Sequence, residues 1–265
     1  MTSLFLSVNS GVELAKNSIK KQFRENLFGY LWVLFIPFIY AFCFLIVKQS
    51  INAGEGSSIH QEHMAVFRAF VGMSFLQLWI QLLQDTSQVI RKRKNFLRSL
   101  TIQLDPFFYS ILFEILISLI IRMVLVYGAA MYFNFPIPKN VLDHLMLFGC
   151  AFLIVGSAFF IGMLILPWAS LFGDFKRLIS SSVMPLALLS PIFYEPVVNP
   201  ASPLYWINLI NPIAISSSIF CELLFRHEYL YLNSFFIWIS LPIIFFFPLV
   251  KLLNKQLPII LERLG

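Results

Sequence analysis

The sequence predicts an all-α polytopic membrane protein with six transmembrane helices and both termini in the cytoplasm. Hydrophobic residues make up 59% of its 265 residues and charged residues only 12%, against roughly 25% charged residues in an ordinary soluble domain. The run Leu145–Gly173 alone has 29 residues without a charge, more than the roughly 20 that one helix needs to cross the hydrocarbon core. Basic residues concentrate in connections on one side of this arrangement, a bias typical of cytoplasmic loops.

The segment Gly11–Leu27 is basic and amphipathic. Its apolar residues recur at steps of three and four, and its basic residues at steps of four. They are Val12, Ala15, Ile19, Phe23 and Leu27 on one face, and Lys16, Lys20 and Arg24 on another. This pattern predicts a helix that lies in the membrane interface. A plain solvated helix is the alternative.

Six apolar segments are expected to cross the membrane. They are 30–47, 64–84, 106–133, 145–173, 178–194 and 229–250. With both ends inside, fourteen basic residues lie in cytoplasmic segments and four lie outside. Counting 196–221 as a seventh span would place the basic C-terminal residues outside, so the charge pattern favours six.

The segment 196–221 lacks charge over 26 residues but contains four prolines and three asparagines. Backbone interruptions of this kind are tolerated at membrane depth only where protein or a water-filled cavity covers them. We therefore expect a re-entrant or interfacial pair of short helices on the external side, between the fifth and sixth spans.

The stretch Gln88–Thr101 holds five of the nineteen basic residues. Each Lys or Arg costs about 2.5–3.5 kcal/mol in hydrocarbon, so this helix-compatible stretch is expected in water between the second and third spans. Two interpretations are open: the charges only fix the topology, or the stretch is a cytoplasmic docking element. The net charge of +6 follows from the same bias, so no nucleic-acid partner is predicted.

Sequence motifs of an autonomous enzyme are missing. The chain has no GxxxxGK[ST] phosphate loop, no HExxH and no GxSxG, so P-loop binding of ATP is excluded. Its four histidines are scattered at 60, 63, 144 and 227. We therefore predict no catalytic residue and no metal ligand.

Two charged residues, Glu114 and Arg122, fall within the third predicted span, two turns apart on roughly one face. Intramembrane charges are candidates for function, so an ion or proton relay is one interpretation. The other is a charge pair satisfied inside the bundle. One acid and one base without a second carboxylate favour the pair.

Aromatic residues are dense, with 30 Phe, 9 Tyr and 5 Trp. Many of them are expected to face lipid or to form interfacial belts. A subset along a pathway would suit sugars, whose apolar faces stack on aromatic rings. The candidates are Trp32, Tyr40, Trp79 and Tyr194. On the second span, Gln77, Gln81 and Gln84 mark one polar stripe.

Several motifs together resemble the polysaccharide-export group of ABC-2 type permeases. The LGxLWxxxxP start of that group, after a basic amphipathic helix, is similar to Phe28–Trp32 with Pro37. Its NxxLIKxV segment resembles Asn95–Leu100, and its SPIxY…NP signature resembles Ser190–Tyr194 followed by Asn211–Pro212. The likeness runs almost from end to end in order and spacing.

The resemblance implies a homodimer that binds two separate ATP-binding cassette ATPases on its cytoplasmic side. ATP and Mg²⁺ would be held by those partners, with no cofactor on this chain. The stretch Gln88–Thr101 would be the coupling helix, braced by the interfacial helix. The residues implied for coupling are Arg91, Lys92, Arg93, Lys94, Phe96, Leu97 and Arg98. The residues implied for the interfacial helix, which would contact membrane lipids, are Lys16, Lys20, Phe23 and Arg24. Those implied for the re-entrant segment are Pro191, Asn211 and Pro212.

The implied substrate is a lipid-linked polysaccharide: O-antigen, capsule or teichoic acid. It would thread between the two copies, chiefly along the first and fifth spans, across the bacterial cytoplasmic (inner) membrane. Two departures bear on the substrate. Gly173 precedes Asp174 where the group usually has an Arg-Asp pair, and serines occupy the region after Asn211–Pro212 where an Arg is common.

Three alternatives are distinguished by what they require. A secondary transporter or channel acting alone needs an inverted repeat or several intramembrane ionisable residues. An integral-membrane enzyme on lipid-linked sugars needs clustered His, Asp or Glu near a membrane face. An ABC-2 exporter of a drug or ion would share the fold, and its gene would not lie among glycosyltransferase genes.

Overall fold

Every regular secondary-structure element among the described residues is a helix. The sequence favours this because long apolar runs are joined by short, helix-compatible connections. The computed structural model describes residues 2–25, 31–51, 59–99, 104–136, 138, 140–226 and 228–264. The helices are α1 (Thr2–Glu25), α2 (Trp32–Ile51), α3 (Ile59–Ser87), α4 (Val89–Lys92), α5 (Lys94–Ser99), α6 (Asp105–Tyr132), α7 (Val141–Leu171), α8 (Asp174–Ser181), α9 (Val183–Leu189), α10 (Pro203–Ile210), α11 (Pro212–Phe225) and α12 (Leu232–Arg263).

Four helices in the described ranges are long and apolar enough to cross a membrane: α3 from Gln61, α6, α7 and α12. The pair α10 and α11 raises the number to five if it counts as one span, although the two helices meet at a bend of 96°. Helix α2 adds a shorter apolar stretch, Phe35–Val47. The expected six spans and the cytoplasmic placement of both termini remain predictions.

Helix α3 lies at the centre of the bundle. In its most apolar window 89% of the residues are buried, against 17% in α12. Helix α7 packs along it at close range, because a Cβ built at Gly162 would lie only 2.8 Å from the Cβ of Thr86. The indole nitrogen of Trp79 donates to the hydroxyl of Ser157 at 3.0 Å across the same contact. The other helices surround this central pair.

The segment expected as one fifth span over 178–194 forms two short helices, α8 and α9, that begin at Asp174 and end at Leu189. Pro185 explains the division, because it has no N–H to donate to the carbonyl of Ser181. Three consecutive serines also bond carbonyls of the preceding turn. Their hydroxyls donate as follows: Ser180 to Lys176, Ser181 to Leu178 and Ser182 to Ile179.

The stretch expected as one helix over 88–101 is likewise divided into α4 and α5, with Arg93 between them at φ −111° and ψ 16°. Residues 100–103 lie outside the described residues. The like charges of Arg91 and Lys94, three residues apart, disfavour a continuous helix here by about 0.2–0.5 kcal/mol.

Both ends of the chain contain more helix than expected. Helix α1 begins at Thr2 rather than Gly11, and the predicted residues 26 and 27 fall outside the described residues. Helix α12 continues past residue 250 to Arg263, so the expected tail is helical. Its buried residues Val250, Leu253, Leu257 and Ile260 recur at helical spacing and bury one face of that extension.

The expected re-entrant segment 196–221 takes the form of α10 and α11, which begin at Pro203 and end at Phe225. A buried ion pair joins α11 to α3: the Arg68 guanidinium donates to the Glu222 carboxylate at 3.0 Å. Glu222 also lies 3.6 Å from Arg226, which reaches Glu195 in the connection after α9 at 3.2 Å. This network holds α11 against its neighbours.

We expect Arg68→Met to lower the thermal stability of the detergent-solubilised protein. The change leaves the Glu222 carboxylate, whose side chain is 2% exposed, without its closest counter-charge. Removing one partner of a buried pair costs about 3–5 kcal/mol, which corresponds to a fall in Tm of roughly 6 °C or more. Differential scanning fluorimetry measures it. Lys16→Met breaks the exposed pair with Glu13 and should leave Tm unchanged; equal Tm values for the two variants would refute the role of the buried pair.

Candidate functional site

The basic segment, residues 88–99 with α4 and α5, is held to the bundle by its apolar side chains. Val89, Ile90 and Leu97 are buried, so the predicted coupling residue Leu97 faces the protein. Outward-facing side chains are Arg91, Lys92, Arg93, Asn95 and Phe96, with Lys94 half-buried. The side chain of Arg98 lies outside the described part of the structure. An anchored segment thus presents cations and one aromatic ring, 42% exposed at Phe96.

Three cations connect the basic segment to different parts of the bundle. Lys92 pairs with Asp85 near the end of α3 at 2.6 Å. Lys94 donates to the carbonyl oxygen of Leu264, just past α12, at 2.6 Å. The guanidinium of Arg91 lies over Gly173 between α7 and α8, where a Cβ would lie 2.9 Å from its Nη1. A displacement of the segment would therefore reach α3, α7 and α12 directly.

Helix α1 lies against α6 at backbone distance. A Cβ built at Gly11 would lie 2.7 Å from the Cβ of Tyr109 and 3.0 Å from the carbonyl oxygen of Pro106. Farther along, the hydroxyl of Ser18 donates to the Glu114 carboxylate at 2.9 Å. Two contacts, one steric and one polar, thus fix α1 along α6.

The predicted bracing residues on α1 divide into two groups. Lys16, Lys20 and Arg24 are exposed, as an interfacial helix requires. The side chain of Phe23 lies outside the described part of the structure. No sequence pattern indicated Ser18, because Glu114, whose carboxylate it bonds, is 96 positions away along the chain.

The expected Glu114–Arg122 charge pair does not form. Glu114 accepts hydrogen bonds from Ser18 and, at 3.1 Å, from Ser110. Arg122 donates through Nη1 to the Ser74 carbonyl oxygen at 3.2 Å and to the Gln77 side-chain oxygen at 3.5 Å. Eight residues separate the two charges by about 12 Å along the helix axis, and each has nearer partners.

A cavity of about 340 Å³ opens between α2, α3, α6 and α9; we call it the polar cavity. Helix α2 contributes Trp32 and Tyr40, helix α3 contributes the stripe Gln77, Gln81 and Gln84, and α6 contributes Arg122. The structure therefore brings two of the four predicted pathway aromatics onto the glutamine stripe. The other two lie elsewhere: Trp79 faces Ser157 in the α3–α7 contact, and Tyr194 donates to the Leu189 carbonyl at 2.9 Å in the turn after α9.

Asn211 makes the bend between α10 and α11. Its side-chain oxygen accepts from the backbone N–H of Ile213 at 3.0 Å, and its amide donates to the hydroxyl of Ser190 at 2.8 Å. Pro212 occupies the first turn of α11, where its missing N–H costs nothing. Pro191 directly follows Ser190 in the turn after α9. The predicted residues Pro191, Asn211 and Pro212 thus meet where α9 ends and α11 begins.

The chain matches the sequence model of a known family. The sequence model of the family described as "ABC-2 type transporter" matches residues 12–225, which includes α1 from Val12, the basic segment, the polar cavity and the bent pair. No curated protein matches the chain.

Replacement of Gly11 by Leu should separate α1 from α6, because the new side chain has no space against Tyr109 and the Pro106 carbonyl. Limited trypsin digestion in detergent, followed by mass spectrometry, should then show faster cleavage after Lys16 and Lys20. Asn17→Leu adds a side chain of the same type at an exposed position of α1 and serves as the control. Equal cleavage rates for the two variants would contradict the close packing.

Proposed function

The chain belongs to the ABC-2 type transporter family, and from that membership we propose that it is the permease of an ABC exporter for a lipid-linked polysaccharide. Membrane domains of this family pair with ATPase subunits. Together with its long apolar helices, the membership makes the chain a multi-pass membrane protein. The proposal places it in the bacterial cytoplasmic (inner) membrane, with both termini in the cytoplasm and six spans.

The basic segment is the observation that carries the proposed coupling to an ATPase. Its exposed face combines the cations Arg91, Lys92 and Arg93 with the half-exposed ring of Phe96, a chemistry that suits a groove with acidic and apolar walls on a partner. Three cations of the same segment also contact the bundle: Arg91 lies against the α7–α8 connection, Lys92 pairs with α3, and Lys94 bonds the end of α12. Movement of a docked ATPase, which would hold ATP and Mg²⁺, would therefore move several helices at once.

Helix α1 would brace this coupling at the interface. It rests on α6 through Gly11 and through the Ser18–Glu114 hydrogen bond. Helix α6 begins just after the basic segment, and its first residues are held by Asn254 of α12, which bonds Leu104 at 2.8 Å and Asp105 at 3.2 Å. A displacement of the basic segment by a docked ATPase would thus be transmitted along α6, while the contacts of α1 with α6 would oppose it.

The proposal includes a homodimer with the export path between two copies, along α2 and α9. Large apolar side chains are exposed on both: Phe35, Phe38 and Ile39 on α2, and Met184 and Leu188 on α9. The polar cavity lies between the same two helices and offers rings for stacking beside glutamine side chains for sugar hydroxyls. Aromatic rings next to amide side chains support a glycan as the substrate.

We expect replacement of Arg91, Arg93 and Phe96 by Ala to abolish copurification of an ATP-binding cassette subunit. These side chains are exposed, so their loss removes partner contacts, and it also removes the contacts of Arg91 with Gly173 and of Phe96 with Phe107. The measurement is ATPase activity in the affinity-purified complex, compared with the wild type. The matched control replaces Lys251, Leu252 and Lys255, two cations and one apolar residue exposed on α12, and should retain the ATPase. If the control loses the ATPase as well, or the first variant keeps it, the basic segment is not the coupling element.

The proposed substrate gives a separate expectation. Deletion of the gene should remove the surface polysaccharide and leave lipid-linked glycan in the cytoplasmic leaflet, because synthesis continues while export stops. Metabolic labelling with a radioactive sugar, followed by lipid extraction and by surface polysaccharide analysis, measures both. Unchanged surface polysaccharide, together with an ATPase that still copurifies, would indicate an ABC-2 exporter of another substrate.

A further inference from the structure

Arg122 is a buried cation without an acidic partner in the described part of the chain. It is 4% exposed and lies about 25 Å along α6 from the first residue of that helix, at 1.5 Å per residue. Its two hydrogen bonds both use Nη1, and its Nε has no partner. A cation at this depth is costly unless it is paired or serves a ligand.

A second unsatisfied donor lies beside it. The side-chain oxygen of Gln77 accepts from Arg122, while its Nε2 has no hydrogen-bond partner. Both residues line the polar cavity, and no Asp or Glu is among the described residues that line it. A second cavity, which shares Gln81 with this one, is lined by Asp85 and Glu114, and these acids are engaged with Lys92 and with serines. The polar cavity therefore has a mostly apolar wall with a buried positive charge and buried N–H donors beside it, and the described residues that line it include no negative counterpart.

The same cavity has aromatic rings within it. Trp32 and Tyr40 of α2 are 47% and 42% exposed and line the cavity with the glutamine stripe. Its volume of about 340 Å³ falls within the range of ligand pockets, about 300–1,000 Å³. A ligand that fits all of these walls has an apolar ring face, hydroxyl groups and one oxyanion.

We propose that the polar cavity binds a sugar unit that carries an oxyanion, with Arg122 and Gln77 as donors to the anion and Trp32 and Tyr40 as stacking surfaces for the ring. The proposal rests on the proposed export of a lipid-linked glycan and defines its chemistry. The oxyanion has two possible sources, the diphosphate that links glycan to lipid and a carboxylate on a sugar of the polymer. In either case the ligand supplies the negative counter-charge that the described residues do not provide for Arg122.

The test uses the permease purified with its ATPase in lipid nanodiscs and three probes. These are N-acetylglucosamine diphosphate with a short prenyl chain, methyl glucuronide and neutral methyl glucoside, with affinities measured by thermophoresis. We expect the wild type to bind at least one charged probe roughly tenfold or more tightly than the neutral one, since a hydrogen bond to a charged group is the stronger kind. Preference for the diphosphate identifies the lipid linkage, and preference for the glucuronide identifies the polymer.

Arg122→Gln should abolish the preference for the charged probe, and Arg122→Lys should restore part of it. Lys255→Gln removes an exposed cation of α12 and should change nothing. Equal affinity of the wild type for charged and neutral probes would overturn the proposal, whatever the stability of the variants. A preference that survives in Arg122→Gln would also overturn it, because Arg122 would then be only a structural tie to Ser74. ATPase copurification in the same samples separates these outcomes from a failure of the proposed function, in which no ATPase is recovered.

Discussion

The lack of water in the hydrocarbon core is the constraint on which the rest of this structure depends, because a free backbone N–H or C=O has no other partner there. A helix pairs its backbone N–H and C=O groups along its length. Where a helix is interrupted, a side chain must bond the free backbone groups in place of water. At the bend between α10 and α11, Asn211 bonds the N–H of Ile213 and the hydroxyl of Ser190. The Ser190 hydroxyl in turn donates to the Leu186 carbonyl at the end of α9 at 2.6 Å. Prolines and polar residues thus define fixed bends inside an otherwise apolar bundle.

Charges within the long helices obey the same constraint in three different ways. Arg68 is paired with Glu222 between α3 and α11. Glu114 is held by serines from α1 and α6, so its carboxylate holds α1 against α6. Arg122 has only neutral acceptors and borders a cavity. The contacts of Arg68 and Glu114 explain how the helices of the bundle are held together. The surroundings of Arg122 mark a position where a bound anion would pair with its charge.

Several features could be predicted from the sequence because they depend on local composition. Apolar run lengths predicted membrane-crossing helices, and the resemblance of several motifs predicted an ABC-2 permease. The prolines and asparagines of 196–221 predicted a pair of short helices, which the structure contains as α10 and α11. The orientation of individual side chains could not be predicted, since α3 and α7 are apolar on most sides and buried over 89% and 61% of their apolar windows. For that reason Trp79, expected along a pathway, packs between α3 and α7. The Ser18–Glu114 hydrogen bond depends on a tertiary contact. The division between α8 and α9 depends on the missing N–H of Pro185.

The most direct measurement of the coupling role is photo-crosslinking from Phe96, which is exposed on the basic segment while its neighbour Leu97 is buried. A benzophenone amino acid at position 96, activated in intact cells, should yield an adduct that mass spectrometry identifies as an ATP-binding cassette subunit. The same probe at Phe247, exposed on α12, should yield no such adduct. An ATPase adduct from position 96 alone is the result expected of a coupling element. Adducts only with lipid from position 96, in cells where the ATPase is present, would contradict docking at the basic segment and leave the segment as a determinant of topology.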